Sequence, residues 1–209
     1  MRSDALLYAI LDLGYLPAAD APGMVKKLAA GGIDIAQLRG KSSSVAELSV
    51  LAAKLLPLTN AAKIPLIAND HAEIARRVEV QGIHVGQEDA SIDSVRRAVV
   101  RPIVVGKSTH SLKQAVAAER DGADYIGFGP IFPTATKPDY PPIGLSAIRE
   151  VHKRVSIPIF CIGGITLDNL EQVLAAGARR VVIVSGLLQA KEVVEYTRAC
   201  KNLLSQSQL

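Results

Sequence analysis

Gln37, Arg39 and Lys41 stand at alternate positions at the end of an apolar run. If that run is a strand continuing to Lys41, all three side chains project to one face, with Ile33 and Ile35 in the same register below. An amide, a guanidinium fork and an ammonium on one rail suit a heterocycle followed by a phosphate or diphosphate. A charged strand end open to water is the plainer alternative. Asn69-Asp70 and Asp89 close two later apolar runs. Neighbouring strands lie about 4.8 Å apart, so carboxylates at their ends can converge on one cation. Two carboxylates among oxygen-bearing neighbours favour Mg2+, and Asn69 can donate to a phosphate without adding negative charge. Helix N-caps are the alternative use for both aspartates. Ser108 follows a fifth run, and Thr134-Ala135-Thr136-Lys137 offers two hydroxyls and a cation, although a solvated loop would look similar. Gly163-Gly164 and Val184-Ser185-Gly186 are turns of the kind that hold phosphate on backbone N–H groups.

These clusters need elements that bring them to one place. Eight apolar, β-branched runs alternate with helical stretches: Leu6–Leu11, Ile33–Leu38, Pro65–Ala68, Gly82–Val85, Ile103–Gly106, Tyr125–Phe128, Pro158–Ile162 and Arg180–Val184. Short strands that are apolar throughout are buried on both faces, as in parallel sheets. Between them Val45–Leu56, Leu112–Arg120, Leu167–Ala175 and Lys191–Leu204 read as helices. Thr166 is placed to cap the third of these, with Asp168 in its first turn. Gly32, Gly82, Gly122 and Gly177 recur just before strands, where a chain leaves a helix in the left-handed conformation. Eight such units in 209 residues suit a single (β/α)8 barrel domain with parallel strands, spanning residues 1–209, better than a doubly wound sheet, although alternation alone does not separate the two. In that fold the polar strand ends share one mouth, where active sites lie. The long, proline-rich connection from Gly129 to Gly144 reads as a wall or lid over it.

The bulk composition narrows the classes. Hydrophobic residues make up 49%, which supports a large core and not a disordered chain. A net charge of +4, no long basic run and an aromatic content of 4% argue against nucleic-acid binding. No apolar run approaches the roughly 20 residues that span a bilayer, and Leu6–Leu11 is too short for a signal segment. Cys161 and Cys200 form no metal or disulfide pattern, and Cys161 reads as a small buried hydrophobe. A reducing cytoplasm is the expected location. Of the histidines, His84 reads as packing or support for the site and His110 as a group that could touch substrate. His71 and His152 are expected to be exposed on helical stretches.

Taken together, the chain resembles the thiamine phosphate synthase family. The similar segments are Gln37-Leu38-Arg39-Gly40-Lys41, Asn69-Asp70, His84 to Asp89, Gly106 to His110, Gly127 to Lys137 and Ile162 to Ile165, in order along nearly the whole chain. The resemblance implies a (β/α)8 transferase that joins 4-amino-2-methyl-5-(diphosphooxymethyl)pyrimidine to 4-methyl-5-(2-phosphoethyl)thiazole, or its carboxylate. Thiamine phosphate and pyrophosphate would be the products. It further implies that Gln37, Leu38, Arg39, Gly40, Lys41, Asn69, Ser108 and Lys137 hold the pyrimidine diphosphate. Thr134, Ala135, Thr136, Gly164, Val184 and Ser185 would hold the thiazole phosphate. Asp70 and Asp89 would bind one Mg2+ per active site. Arg39, Lys41, Ser108 and Lys137 are the catalytic set so implied. The partners are small phosphorylated heterocycles, with no nucleic acid and no membrane; a homo-oligomer is left open.

The residue chemistry agrees with that assignment. Departure of pyrophosphate needs cations to take up developing negative charge, and the thiazole nitrogen serves as nucleophile, so no enzyme nucleophile is required. Three departures stand out: Gly40 where the family usually has an acid, Lys107 where it has a small or apolar residue, and Leu11 in place of a common Thr. A cation at Lys107 would sit near the diphosphate and alter affinity or salt sensitivity. Two other readings are a thiazole tautomerase-like relative using a histidine such as His110, and a catalytically silent barrel that senses phosphorylated ligands. The first would not need diphosphate and metal equipment; the second would have lost a charged ligand.

Overall fold

The computed structural model describes residues 4–134 and 140–208. Its strands are β1 (Leu7–Asp12), β2 (Ile35–Arg39), β3 (Leu66–Asn69), β4 (Gly82–Val85), β5 (Val104–Thr109), β6 (Tyr125–Phe128), β7 (Ile159–Cys161) and β8 (Val181–Ile183). The helices are α1 (Ala21–Gly31), α2 (Val45–Ala61), α3 (Ala72–Arg77), α4 (Ile92–Val99), α5 (Leu112–Arg120), α6 (Ser146–Arg154), α7 (Leu167–Ala175), α8 (Ser185–Leu188) and α9 (Val193–Gln206). Each strand pairs in parallel with the next, and β8 returns to β1 through Leu7 beside Val181 and Ala9 beside Ile183. The sheet closes as a (β/α)8 barrel, the architecture expected from eight units in a chain of this length and one that alternation alone does not separate from a doubly wound sheet.

Strand alternation sorts the core into two shells. Outward residues such as Leu7, Leu38, Ile83 and Cys161 pack against the helices. Inward residues Tyr8, Ile10, Ile35, Ile67, Tyr125, Phe160 and Val182 fill the lower barrel. Three rings meet there: Phe160 stands edge-on to Tyr8 at 5.5 Å and to Tyr125 at 5.7 Å between centroids. Gly106 makes this possible, because a Cβ there would fall 2.1 Å from the Tyr125 ring.

Several boundaries depart from the sequence expectation, each for a local reason. Ile33 lies outside β2 and packs in the outer shell, since Asp34 turns aside to accept the Leu6 and Leu7 N–H groups at 2.7 and 2.9 Å. The strand also stops at Arg39, so Lys41 stands in the following turn and not on the strand rail. β5 runs on to Thr109 because its polar end still pairs with β6. α2 continues through Pro57 to Ala61. The carbonyl freed by the proline belongs to Ala53, which is exposed to water. Gly82 does not end a helix. It opens β4, where a Cβ would strike Ile67 Cδ1 at 2.6 Å. Gly32, Gly122 and Gly177 do have positive φ, as helix exits require.

Candidate active site

The carboxyl ends of the strands bring the predicted residues to one mouth, divided into two connected hollows. The first encloses about 790 Å³ including its open side, and Gln37, Arg39, Asn69, Ser108, Thr134, Gly164, Val184 and Ser185 all line it. The second lies over β3 and β4 and is lined by Gly40, Lys41, Asp70, Asp89 and again Asn69. Asn69 therefore stands where the hollows meet. Leu38 does not face either hollow, because its side chain is turned into the outer core. Ala135, Thr136 and Lys137 lie outside the described residues.

The acidic pair is built by local geometry. Asp70 adopts a left-handed backbone at φ 61°, uncommon without glycine, and its N–H is held by the His84 carbonyl at 2.8 Å. Asp89 accepts the Gly86 N–H at 2.7 Å, which folds the loop after β4 back on itself. Neither aspartate caps a helix: His71 stands at the cap of α3, and the Ser91 hydroxyl accepts the Ser94 N–H at α4. The N-cap alternative is thereby excluded for both. Lys41 reaches Asp70 at 2.6 Å, and Asp89 lines the same hollow. Burial alone would push Asp70 up. The hydrogen bond from Lys41, contact with Asp89 and the charges of Lys41 and His71 outweigh it and hold the carboxyl below its usual range. Among the described residues no cluster of three or more His, Cys, Asp or Glu side chains forms. A two-carboxylate site with room for waters and phosphate oxygens fits Mg2+ chemically and does not suit Zn2+.

Arg39 is held by an ion pair to Asp12, whose other oxygen accepts the Gly14 N–H at 2.9 Å. On the opposite wall, the glycine turn after β7 is stitched to the base of the long loop. Ile131 N–H reaches the Ile162 carbonyl at 2.8 Å, and Phe132 N–H reaches that of Gly163 at 3.0 Å. Gly163 and Gly164 have φ of 101° and 64°, and a Cβ on Gly163 would lie 2.4 Å from Pro130 Cβ. Only glycine fits that turn.

A family profile described as Thiamine monophosphate synthase matches residues 7–187. The chain belongs to the thiamine monophosphate synthase family. It is 37% identical over 204 residues to the thiamine-phosphate synthase of Methanocella arvoryzae, covering 97% of this chain and 96% of that one. With the thiamine-phosphate synthase of Shouchella clausii it shares 40% identity over 194 residues, 92% of this chain and 93% of that one. The thiamine phosphate pyrophosphorylase of Pyrococcus furiosus superposes with a TM-score of 0.89 at 30% identity, covering 97% and 96% of the two chains. The protein is thus an enzyme of thiamine phosphate synthesis, a transferase on a TIM barrel. No described helix is long and apolar enough to cross a membrane.

Within this family the departures acquire physical reasons. The Lys107 side chain lines neither hollow. It points out of the barrel and donates to the Gly86 carbonyl at 2.7 Å, bracing the loop that carries Asp89. At Gly40 a Cβ would lie 2.9 Å from both Leu13 Cδ1 and Leu48 Cδ2, so an acidic side chain has no space without repacking. Asp12 is a further residue of the mouth that the sequence does not single out. Its signal was an acid in phase with the inward Tyr8 and Ile10, at the end of β1. His84 takes the expected supporting place: Nε2 lies 2.9 Å from Ser108 Oγ and Nδ1 lies 3.1 Å from the Tyr125 hydroxyl. His110 also lines the first hollow, with Nδ1 at the Gly129 carbonyl and its ring 4.2 Å from that of Tyr140. His71 and His152 are half-buried and not exposed. Each packs near a helix end, His152 with Nε2 buried and unpartnered.

Proposed function

We propose that this enzyme condenses the pyrimidine methyl diphosphate with the thiazole phosphate, or its carboxylate, and releases pyrophosphate. The observation that carries this reading is the meeting of Asp70, Asp89 and Lys41 in one hollow that joins, at Asn69, an apolar cavity lined by Gln37, Arg39 and Ser108. The apolar part suits two heterocycles, and the charged part suits the diphosphate. Mg2+ held by Asp70 and Asp89 would neutralise diphosphate charge when bound. Arg39 and Lys41 face the same anion, and charge grows on it as the C–O bond to the methylene breaks. The Ser108 hydroxyl, on the wall of the first hollow, would donate to a diphosphate oxygen that reaches in past Asn69. Gly164, Val184 and Ser185 line the opposite side of the first hollow, where the thiazole phosphate would sit with its ring nitrogen free to attack. Lys137 is the further cation on the long loop, and Thr134 to Thr136 would join it there.

The test is to supply purified protein with both phosphorylated heterocycles and Mg2+ and to follow pyrophosphate release. Turnover should require both rings and the cation. Asp70→Asn and Asp89→Asn should each raise the Mg2+ concentration needed for half-maximal rate by on the order of tenfold or more. Unchanged Mg2+ dependence in both variants would refute the metal assignment.

A further inference from the structure

The floor of the first hollow carries an unbroken file of polar groups. The Gln37 Nε2 donates to the Tyr8 hydroxyl at 2.7 Å, and Tyr8 meets the Tyr125 hydroxyl at 3.0 Å. Tyr125 meets His84 Nδ1 at 3.1 Å, and His84 Nε2 meets Ser108 Oγ at 2.9 Å. The direction of each bond follows from counting protons. Tyr8 is buried and already accepts from the amide, so its one O–H must go to Tyr125. Tyr125 is fully buried and accepts from Tyr8, so its O–H must go to His84 Nδ1. Nδ1 being an acceptor, the imidazole carries its proton on Nε2 and donates to Ser108. The Ser108 hydroxyl is then left to donate outward into the hollow that it lines.

We infer that Tyr8, Tyr125 and His84 are positioning residues: a one-way hydrogen-bond file that fixes the His84 tautomer and presents the Ser108 hydroxyl to the ligand as a donor. Burial raises the phenolic pKa of both tyrosines, Tyr125 well above its ordinary value, so the O–H groups persist at any working pH. At the far end, Gln37 Oε1 is buried without a hydrogen-bond partner, which leaves an acceptor at one end of the file and a donor at the other. The functional part rests on the reading of Ser108 as a diphosphate contact; the tautomer part does not.

Tyr125→Phe cuts the file while keeping the ring that fills the notch at Gly106. In 15N-labelled wild-type protein, His84 should show the neutral Nε2–H form by imidazole NMR, and Tyr125→Phe should convert it to a mixture. Turnover should fall about tenfold in Tyr125→Phe with little change in KM, and by at least as much in Ser108→Ala. The double variant should be no slower than Ser108→Ala alone, because the file acts only through that hydroxyl. A wild-type Nδ1–H form, or an unchanged tautomer in Tyr125→Phe, would overturn the file whatever the reaction is. Fully multiplicative rate losses would overturn its action through Ser108. Absence of turnover in wild type, with the Nε2–H form intact, would instead refute the proposed reaction.

Discussion

Among the described residues, Asp12 and Arg39 form the most buried ion pair at the mouth, with side chains 3% and 12% exposed. Removing one partner of such a pair leaves the other desolvated and uncompensated. Asp12→Asn should therefore cost about 3–5 kcal/mol in urea unfolding and lower turnover, because Arg39 is then free to leave its pose. At this scale the sequence spoke unevenly. Gln37, Asp70 and Ser108 were legible because polar groups ending apolar runs are conspicuous. Asp12 was equally placed, yet no partner near it in sequence announced it; its meaning depends on β1 and β2 lying side by side, with Asp12 level with Arg39. Lys41 shows the converse limit. Its two-residue spacing suggested a strand rail, whereas a turn after Arg39 delivers the ammonium to Asp70 from another direction.

The elements carry two further expectations. Gly164 closes the turn after β7, and a Cβ there would lie 2.7 Å from both Phe132 Cβ and the Pro133 carbonyl oxygen. Gly164→Ala should destabilise the fold by about 1–3 kcal/mol and raise KM for the thiazole phosphate more than for the pyrimidine, which steady-state kinetics would show. On α6, burial first, then the charges of Arg179 and Arg180, lower the His152 pKa from 6.5 to about 4. The unfolded chain binds that proton more readily, so the stability contribution is complete above pH 6.5 and is lost as pH falls towards 4. Partial exposure reduces the effect to on the order of 1–2 kcal/mol. His152→Leu should flatten the acid side of the stability curve, measured by denaturant midpoints across that range. The sequence could not foretell this, since helix periodicity says which residues face inward but not that two arginines before β8 come to face α6.

For the molecule as a whole, Asp34 acts as a clasp. Its carboxylate takes the N–H groups of Leu6 and Leu7 and the Lys201 ammonium at 2.6 Å, joining the entry to β1, the start of β2 and α9. Asp34→Ala would leave two backbone donors without partners beside the seam where β8 meets β1. A loss of about 2–4 kcal/mol is expected, seen as a lowered melting temperature with KM values nearly unchanged. A parallel sheet covered on both faces was readable from eight apolar runs, and the closed barrel was favoured over a doubly wound sheet by eight units in so short a chain. What holds the ring shut was not, since Asp34 and Lys201 are separated by most of the chain.

Among the described residues, the barrel axis beneath the first hollow is plugged by Tyr8, Tyr125 and Phe160. The pocket has no back door. A ring resting against Gln37 would have to leave through the same open mouth by which it entered. Anything that settles in the mouth afterwards would detain it, so the residence of the inner guest should depend on the sequence of arrivals as well as on its own affinity.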